Sequence, residues 1–119
     1  MGQRMPRKDV TVRKRDEVIV VDLAGSACLS GENELSVLLT DLIAQGGRRF
    51  VLNLAQVPHI DSFGLSGIVR AYSTVVRAGG TLKLLNAHDR VRRLLQVTRL
   101  QPIFELYDSE DDAVRSFDA

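Results

Sequence analysis

Phe50-Val51-Leu52-Asn53-Leu54 runs into a loop broken by Pro58, and that loop closes on Asp61-Ser62-Phe63-Gly64-Leu65. Up to Leu54 the residues are mostly apolar and rich in strand formers. From Leu65 the apolar positions space out to Ile68, Val69, Tyr72 and Val76, which is one face of a helix. Gly79-Gly80 ends that helix, and Thr81-Leu82-Lys83-Leu84-Leu85 reads as the next strand. A strand, a helix and a second strand in this order make a crossover unit with parallel strands. The chain is therefore expected to be an α/β protein.

Working towards the N-terminus, Val18-Ile19-Val20-Val21-Asp22-Leu23-Ala24 is β-branched and apolar enough for an inner strand. Val10-Thr11-Val12-Arg13 alternates like an edge strand, and Asp16-Glu17 turns between the two. So short a turn forces these strands to be antiparallel. Residues 25–31 read as a loop. From Glu32 a helix is expected, with Leu35, Leu38, Leu39, Leu42 and Ile43 on its inner side and Gly46-Gly47 at its end. Towards the C-terminus, Asn86 is the expected cap of a third helix with Val91, Leu94 and Leu95 inward. Ile103 to Tyr107 is expected to form a last strand. Ser109, with Asp112 three residues on, should cap a final helix burying Ala113, Val114 and Phe117. The order is β-β-α-β-α-β-α-β-α: a mixed, mostly parallel sheet covered by helices in one domain. Residues 10–117 form the expected domain, and residues 1–9 a flexible basic leader. Leu52, Leu54, Leu65, Val69, Leu82, Leu84 and Leu94 are the expected core.

Composition narrows the function. The chain has 119 residues, 45% hydrophobic and 26% charged, which suits one globular domain and excludes a low-complexity chain. Cys28 is the single cysteine, so neither an internal disulfide nor a thiolate cluster is available. No apolar run approaches the ~20 residues of a membrane span, and no apolar segment follows the N-terminal charges. A cytoplasmic protein without membrane insertion is expected. Net charge is +1, yet residues 1–15 hold six basic side chains against Asp9, and residues 104–119 hold six acids against Arg115. Such asymmetry can orient an encounter with a partner. The basic leader is short and has no interleaved aromatics, so no nucleic-acid partner is expected.

Catalytic templates are missing. The chain has no phosphate-binding GxxxxGK[ST] or GxGxxG loop and no HExxH, and in Gly64-Leu65-Ser66-Gly67-Ile68 an isoleucine stands where a nucleophile elbow needs glycine. Ser62, His59 and Asp61 are too close in sequence to converge as a triad. His59 and His88 lack metal-like spacing and read as loop residues. What remains is the Asp61–Leu65 segment at a helix start. There Asp61 or Ser62 can cap the helix. The free amides and the positive dipole end also favour an anion. A phosphate on Ser62 would add about −1.5 to −2 charges without unfolding the helix. Such a residue could keep the fold and change the partner.

With these segments in place, the sequence resembles a STAS domain, and most of all the bacterial anti-sigma factor antagonists. The resemblance rests on Val51-Leu52-Asn53-Leu54, Asp61-Ser62-Phe63-Gly64-Leu65, Gly79-Gly80 and Thr81-Leu82-Lys83-Leu84. Val91 to Leu95, Leu100, Phe104 and the Ala113–Phe117 segment extend it, and it spans about residues 10–117. It implies a binding module and not an enzyme. The implied partner is an anti-sigma factor that is also a serine kinase, whose capture releases a sigma factor. Phosphorylation of the serine corresponding to Ser62 would switch the capture off, and a serine phosphatase would reverse it. ATP and magnesium would belong to the kinase, so no cofactor and no metal are expected here. The implied partner-facing residues are Ser26, Cys28, His59, Asp61, Ser62, Phe63 and Gly64, on a monomer or weak dimer.

Two departures from the family pattern stand out. Phe63 replaces the usual small residue after the serine, and Gly25-Ser26-Ala27-Cys28 replaces a loop that often reads G-E-L-D. Both are compatible with an alternative: a STAS subunit of a transporter or signalling scaffold that is never phosphorylated.

Overall fold

The structure is a computed structural model that describes residues 10–24, 34–58, 60 and 62–118, with only the backbone of Glu34, Ser62 and Phe63. Its strands are β1 (Val10–Arg15), β2 (Val18–Ala24), β3 (Arg49–Gln56), β4 (Thr81–Leu85) and β5 (Leu106–Tyr107). Its helices are α1 (Glu34–Ala44), α2 (Ser62–Arg77), α3 (Asp89–Val97) and α4 (Glu110–Arg115), with 3-10 turns at Gln101–Ile103 and Ser116–Asp118. The strands lie in sequence order, β1-β2-β3-β4-β5. β1 pairs antiparallel to β2, and every later pairing is parallel. The mixed, mostly parallel sheet and the element order expected from the sequence are both present.

The strand period decides which helix covers which face. Val21, Leu23, Phe50, Leu52, Leu54, Leu82 and Leu84 point to one side, where they pack with Leu35 and Leu39 of α1, Leu65, Ile68, Ala71 and Val75 of α2, and Val91 and Leu95 of α3. Val18, Val20, Val51 and Leu85 point to the other side and meet Ala113 and Val114 of α4. Three helices thus cover one face, and a single short helix covers part of the other.

Several expectations need correction. Val69 and Leu94 are half-buried against the core and not inside it, and Val76 is 46% exposed. The inner stripe of α2 is Leu65, Ile68, Ala71 and Val75, because the helix is rotated so that small Ala71 faces the sheet. Asn86 does not cap α3. The helix starts at Asp89 after His88, and Asn86 sits at φ +57° with its side-chain amide turned to Asn53. Asparagine tolerates that left-handed conformation better than most residues. The last strand is only Leu106–Tyr107, because Ile103 is taken up in a 3-10 turn and the Ile103 and Phe104 amides bond back to the Leu100 and Gln101 carbonyls. α1 begins at Glu34, while the expected start at Glu32 lies outside the described residues. Ser109 does cap α4, accepting a hydrogen bond from the Asp112 amide at 3.3 Å.

Candidate functional site

The loops that carry the sequence candidates leave the C-terminal ends of the parallel strands. Ala24, the last residue of β2, is paired with Gln56, the last of β3. The ends of β2 and β3, from which the sequence continues into residues 25–33 and 57–61, thus lie side by side. Val57 is fully buried at the end of β3, and its amide bonds the Leu54 carbonyl at 2.9 Å, which anchors the start of the second loop. α2 opens at Ser62 and runs to Arg77, so Ser62 is its first residue and Gly64, which is buried, its third. The first-turn amides of a helix have no partner within it, and at this end they carry the positive pole of the dipole. The first turn of α2 holds no acidic residue. Ser26, Cys28, His59 and Asp61 lie outside the described residues, as do the side chains of Ser62 and Phe63.

On the sheet face that α4 partly covers, a polar chain crosses three strands. Arg13 of β1 grips Asp22 of β2 with its Nε at 2.6 Å and a terminal nitrogen at 2.9 Å. Asn53 of β3 donates to Asp22 Oδ1 at 2.7 Å. Asn53 Oδ1 in turn accepts from the Ala55 amide at 3.1 Å and from Asn86 Nδ2 at 3.2 Å. Partial burial pushes the Asp22 carboxyl up, but the hydrogen bonds from Arg13 and Asn53 outweigh it and leave the group below its ordinary value. Two members of this chain stand near the end of an element: Asp22 near the end of β2 and Asn86 just after β4. The chain therefore fixes the spacing of the strand ends from which the loops spring. No contiguous motif marks it in the sequence. Its signal was one polar residue at the same depth of two otherwise apolar strands, Asp22 in VIVVDLA and Asn53 in RFVLNLAQ, which the sheet register sets side by side.

Next to Asn86 an open depression is lined by Ala55, Asn86, Ala87, His88, Asp89 and Asp108. His88 Nε2 lies 2.8 Å from the Ala55 carbonyl, and Arg92 bridges from its own helix to Asp108 at 2.6 Å. Among the described residues no group of three His, Cys, Asp or Glu side chains is placed to hold a metal, and no helix is long and apolar enough to cross a membrane.

Comparison with known proteins agrees with this geometry. A family model, the STAS domain, matches residues 9–113. The anti-sigma-B factor antagonist of Bacillus subtilis is 30% identical over 107 residues, which cover 90% of this chain and 97% of that protein. An anti-sigma factor antagonist from Mycobacterium paratuberculosis has the same fold, with a TM-score of 0.76 at 22% identity over 97% of this chain and 100% of that one. The anti-sigma factor antagonist SpoIIAA in its unphosphorylated form gives a TM-score of 0.70 at 17% identity, covering 92% of this chain and 96% of its own. Its phosphorylated form gives 0.69 at 18%, covering 91% and 98%. This chain belongs to the STAS domain family, among the anti-sigma factor antagonists.

Proposed function

We propose that the protein captures an anti-sigma factor that is also a serine kinase, that this capture frees a sigma factor, and that phosphorylation of Ser62 ends it. The observation that carries this reading is the position of Ser62 as the first residue of α2, within Asp61-Ser62-Phe63-Gly64-Leu65. SpoIIAA, a protein of the same fold, is known in a phosphorylated and an unphosphorylated form, which supports a phosphate-dependent switch here. In the unmodified state Asp61, Ser62, Phe63 and Gly64, with Ser26, Cys28 and His59 on the flanking loops, form the docking surface. Phe63 adds apolar contact area. A phosphate at Ser62 meets the helix dipole favourably, so the fold persists. In a closed interface the same charge must be desolvated, so the partner is released. A serine phosphatase then restores the docking form. ATP and magnesium are brought by the kinase.

The test uses the serine kinase that co-purifies with the full chain, with ATP and magnesium, followed by mass mapping. Phosphate on Ser62, retained binding by Ser62→Ala and lost binding by Ser62→Asp at unchanged circular dichroism are expected. Absence of phosphate together with wild-type binding by Ser62→Asp overturns the switch. Those results would instead support the unphosphorylated STAS-subunit reading, which the acid-free Gly25-Ser26-Ala27-Cys28 loop already favours.

A further inference from the structure

The charge of this protein is sorted between its two faces. Residues 62–100 hold seven basic side chains and one acid, Asp89. Among the described residues, Arg70, Arg77, Arg90, Arg93 and Arg99 have no ion pair and no side-chain hydrogen bond, and all five are exposed. The C-terminal acids are in the opposite condition. Glu105 is paired with Lys83, Asp108 with Arg92, Glu110 with Arg13 and Arg15, Asp111 with Arg15, Asp112 with Arg115 and Asp118 with Arg49. The acidic surface is thus already matched within the molecule, and the arginine surface is not. Arg77, in the last turn of α2, complements the helix dipole. The other four have no such role.

Position on the helices sharpens the pattern. Steps of three and four residues place positions 62, 66, 70, 73 and 77 on one stripe of α2. The stripe that begins at Ser62 therefore continues through Arg70 to Arg77. On α3 the same spacing aligns Arg90, Arg93 and Val97, and Val97 is 73% exposed. Both helices pack on the same face of the sheet, so their free sides look out on one side of the molecule. The free cations of these two helices and of the turn after α3 are all arginines. Their planar fork matches carboxylates in pairs, and arginine beside exposed apolar residues such as Val76 and Val97 is the composition of a protein-binding surface.

We infer that the α2–α3 face is a docking surface for a carboxylate-rich surface of a protein partner, continuous along α2 with the Ser62 end. A second copy of this chain offers no such surface among the described residues, because its six C-terminal acids are already engaged. The inference rests on the Ser62 reading only for this continuity, and its test does not involve Ser62, so either can fail alone.

The test is an NMR titration of the full chain with a deca-glutamate peptide at low salt, and with a ten-nucleotide oligothymidine and phosphatidylserine vesicles as parallel probes. Deca-glutamate is expected to shift amides centred on α2 and α3. Binding should weaken at least five-fold in Arg70→Ala/Arg90→Ala/Arg93→Ala, whose strand amides should stay in place. Shifts centred on residues 1–15, or an unchanged affinity in the folded triple variant, overturn the inference. Binding of oligothymidine or of the vesicles tenfold tighter than deca-glutamate also overturns it, in favour of nucleic acid or membrane.

Discussion

Arg13, in the edge strand β1, holds Glu110, at the start of α4, through two hydrogen bonds of 2.8 and 3.1 Å, although 97 residues separate them. Arg15 adds a contact to the same carboxylate at 2.9 Å and another to Asp111 at 2.9 Å. The basic N-terminal and acidic C-terminal stretches therefore meet each other, at least from β1 onward, in place of an outside partner. Their effect is to fasten the one helix that covers the second sheet face.

This clasp has a definite pH dependence. The hydrogen bond from Arg13 comes first among the causes that hold the Glu110 carboxyl at about 2, against burial that pushes it up. A depressed carboxyl stabilises the fold above its unfolded value near 4.5 and loses that contribution as pH falls through the folded value. Wild-type stability should therefore drop between about pH 4.5 and pH 2. Glu110→Gln should cost about 1–2 kcal/mol at neutral pH and flatten that drop, as read by denaturant melts across the range. A variant whose pH profile parallels wild type would show that the clasp adds nothing.

Gly79 and Gly80 follow α2 together but are needed for different reasons. Gly79 has φ +83° with nothing near its missing side chain. Gly80 has no such backbone, yet a Cβ there would collide with the Arg48 carbonyl oxygen and meet Val75 Cγ1 at 2.9 Å. Backbone cannot give way cheaply, so Gly80→Ala should destabilise by about 1–3 kcal/mol. Gly79→Ala should cost about 1 kcal/mol through its left-handed conformation. Thermal melts of the two variants measure this order, and a Gly80→Ala protein as stable as wild type would refute the close approach.

Asn53 is the centre of the polar chain, bonded to Asp22, Ala55 and Asn86. Truncating it leaves the Ala55 amide and one Asp22 oxygen without that partner, so Asn53→Ala should cost about 1–3 kcal/mol. Because Asn53 and Asp22 touch, a double-mutant cycle with Asp22→Ala should show a coupling of about 0.5–3 kcal/mol. Additive losses would mean that the two residues act independently. The loops spring from these strand ends, so the same variants should also weaken capture of the partner more than an equally destabilising core change such as Leu84→Ala.

Elements whose pattern is set by local chemistry were legible in the sequence. The β-branched run of β2, the five apolar positions of α1 and the Ser109 cap all lie where their spacing put them. Helix α2 also begins at Ser62 and ends at Arg77. What could not be read depends on partners distant in the chain. Leu94 and Val69 fit a helical face as well as their neighbours, and only the packing of α2 and α3 on the sheet leaves them half-buried. Asn86 resembles a cap, yet its amide goes to Asn53, 33 residues away. The candidate serine was visible because its signal is a contiguous motif. The polar chain was not, because it exists only in the register of β2 on β3.

Lys83 is the buried charged side chain of the described core, 5% exposed on the face covered by α4. Its Nζ donates to Ser116 Oγ at 2.7 Å, lies 3.3 Å from Glu105 and stands 4.2 Å from the centre of the Phe117 ring. Tyr107 closes the other side, its ring centre 5.6 Å away, and its hydroxyl donates to Glu105 at 2.8 Å. The ammonium thus ties β4 to the C-terminal turn, while its four-carbon stem fills space beneath the ring. These two contributions separate by substitution. Lys83→Met keeps the stem and removes the charge, and Ser116 and Glu105 are exposed enough to take water, so the cost should stay under about 1.5 kcal/mol. Lys83→Ala removes the stem as well and opens a void under Phe117, so it should cost about 2–4 kcal/mol. Amide exchange should then be faster in residues 110–118, while α2 and its Ser62 end keep their wild-type protection. Equal losses from Met and Ala would assign the whole effect to the charge and refute the packing role of the stem.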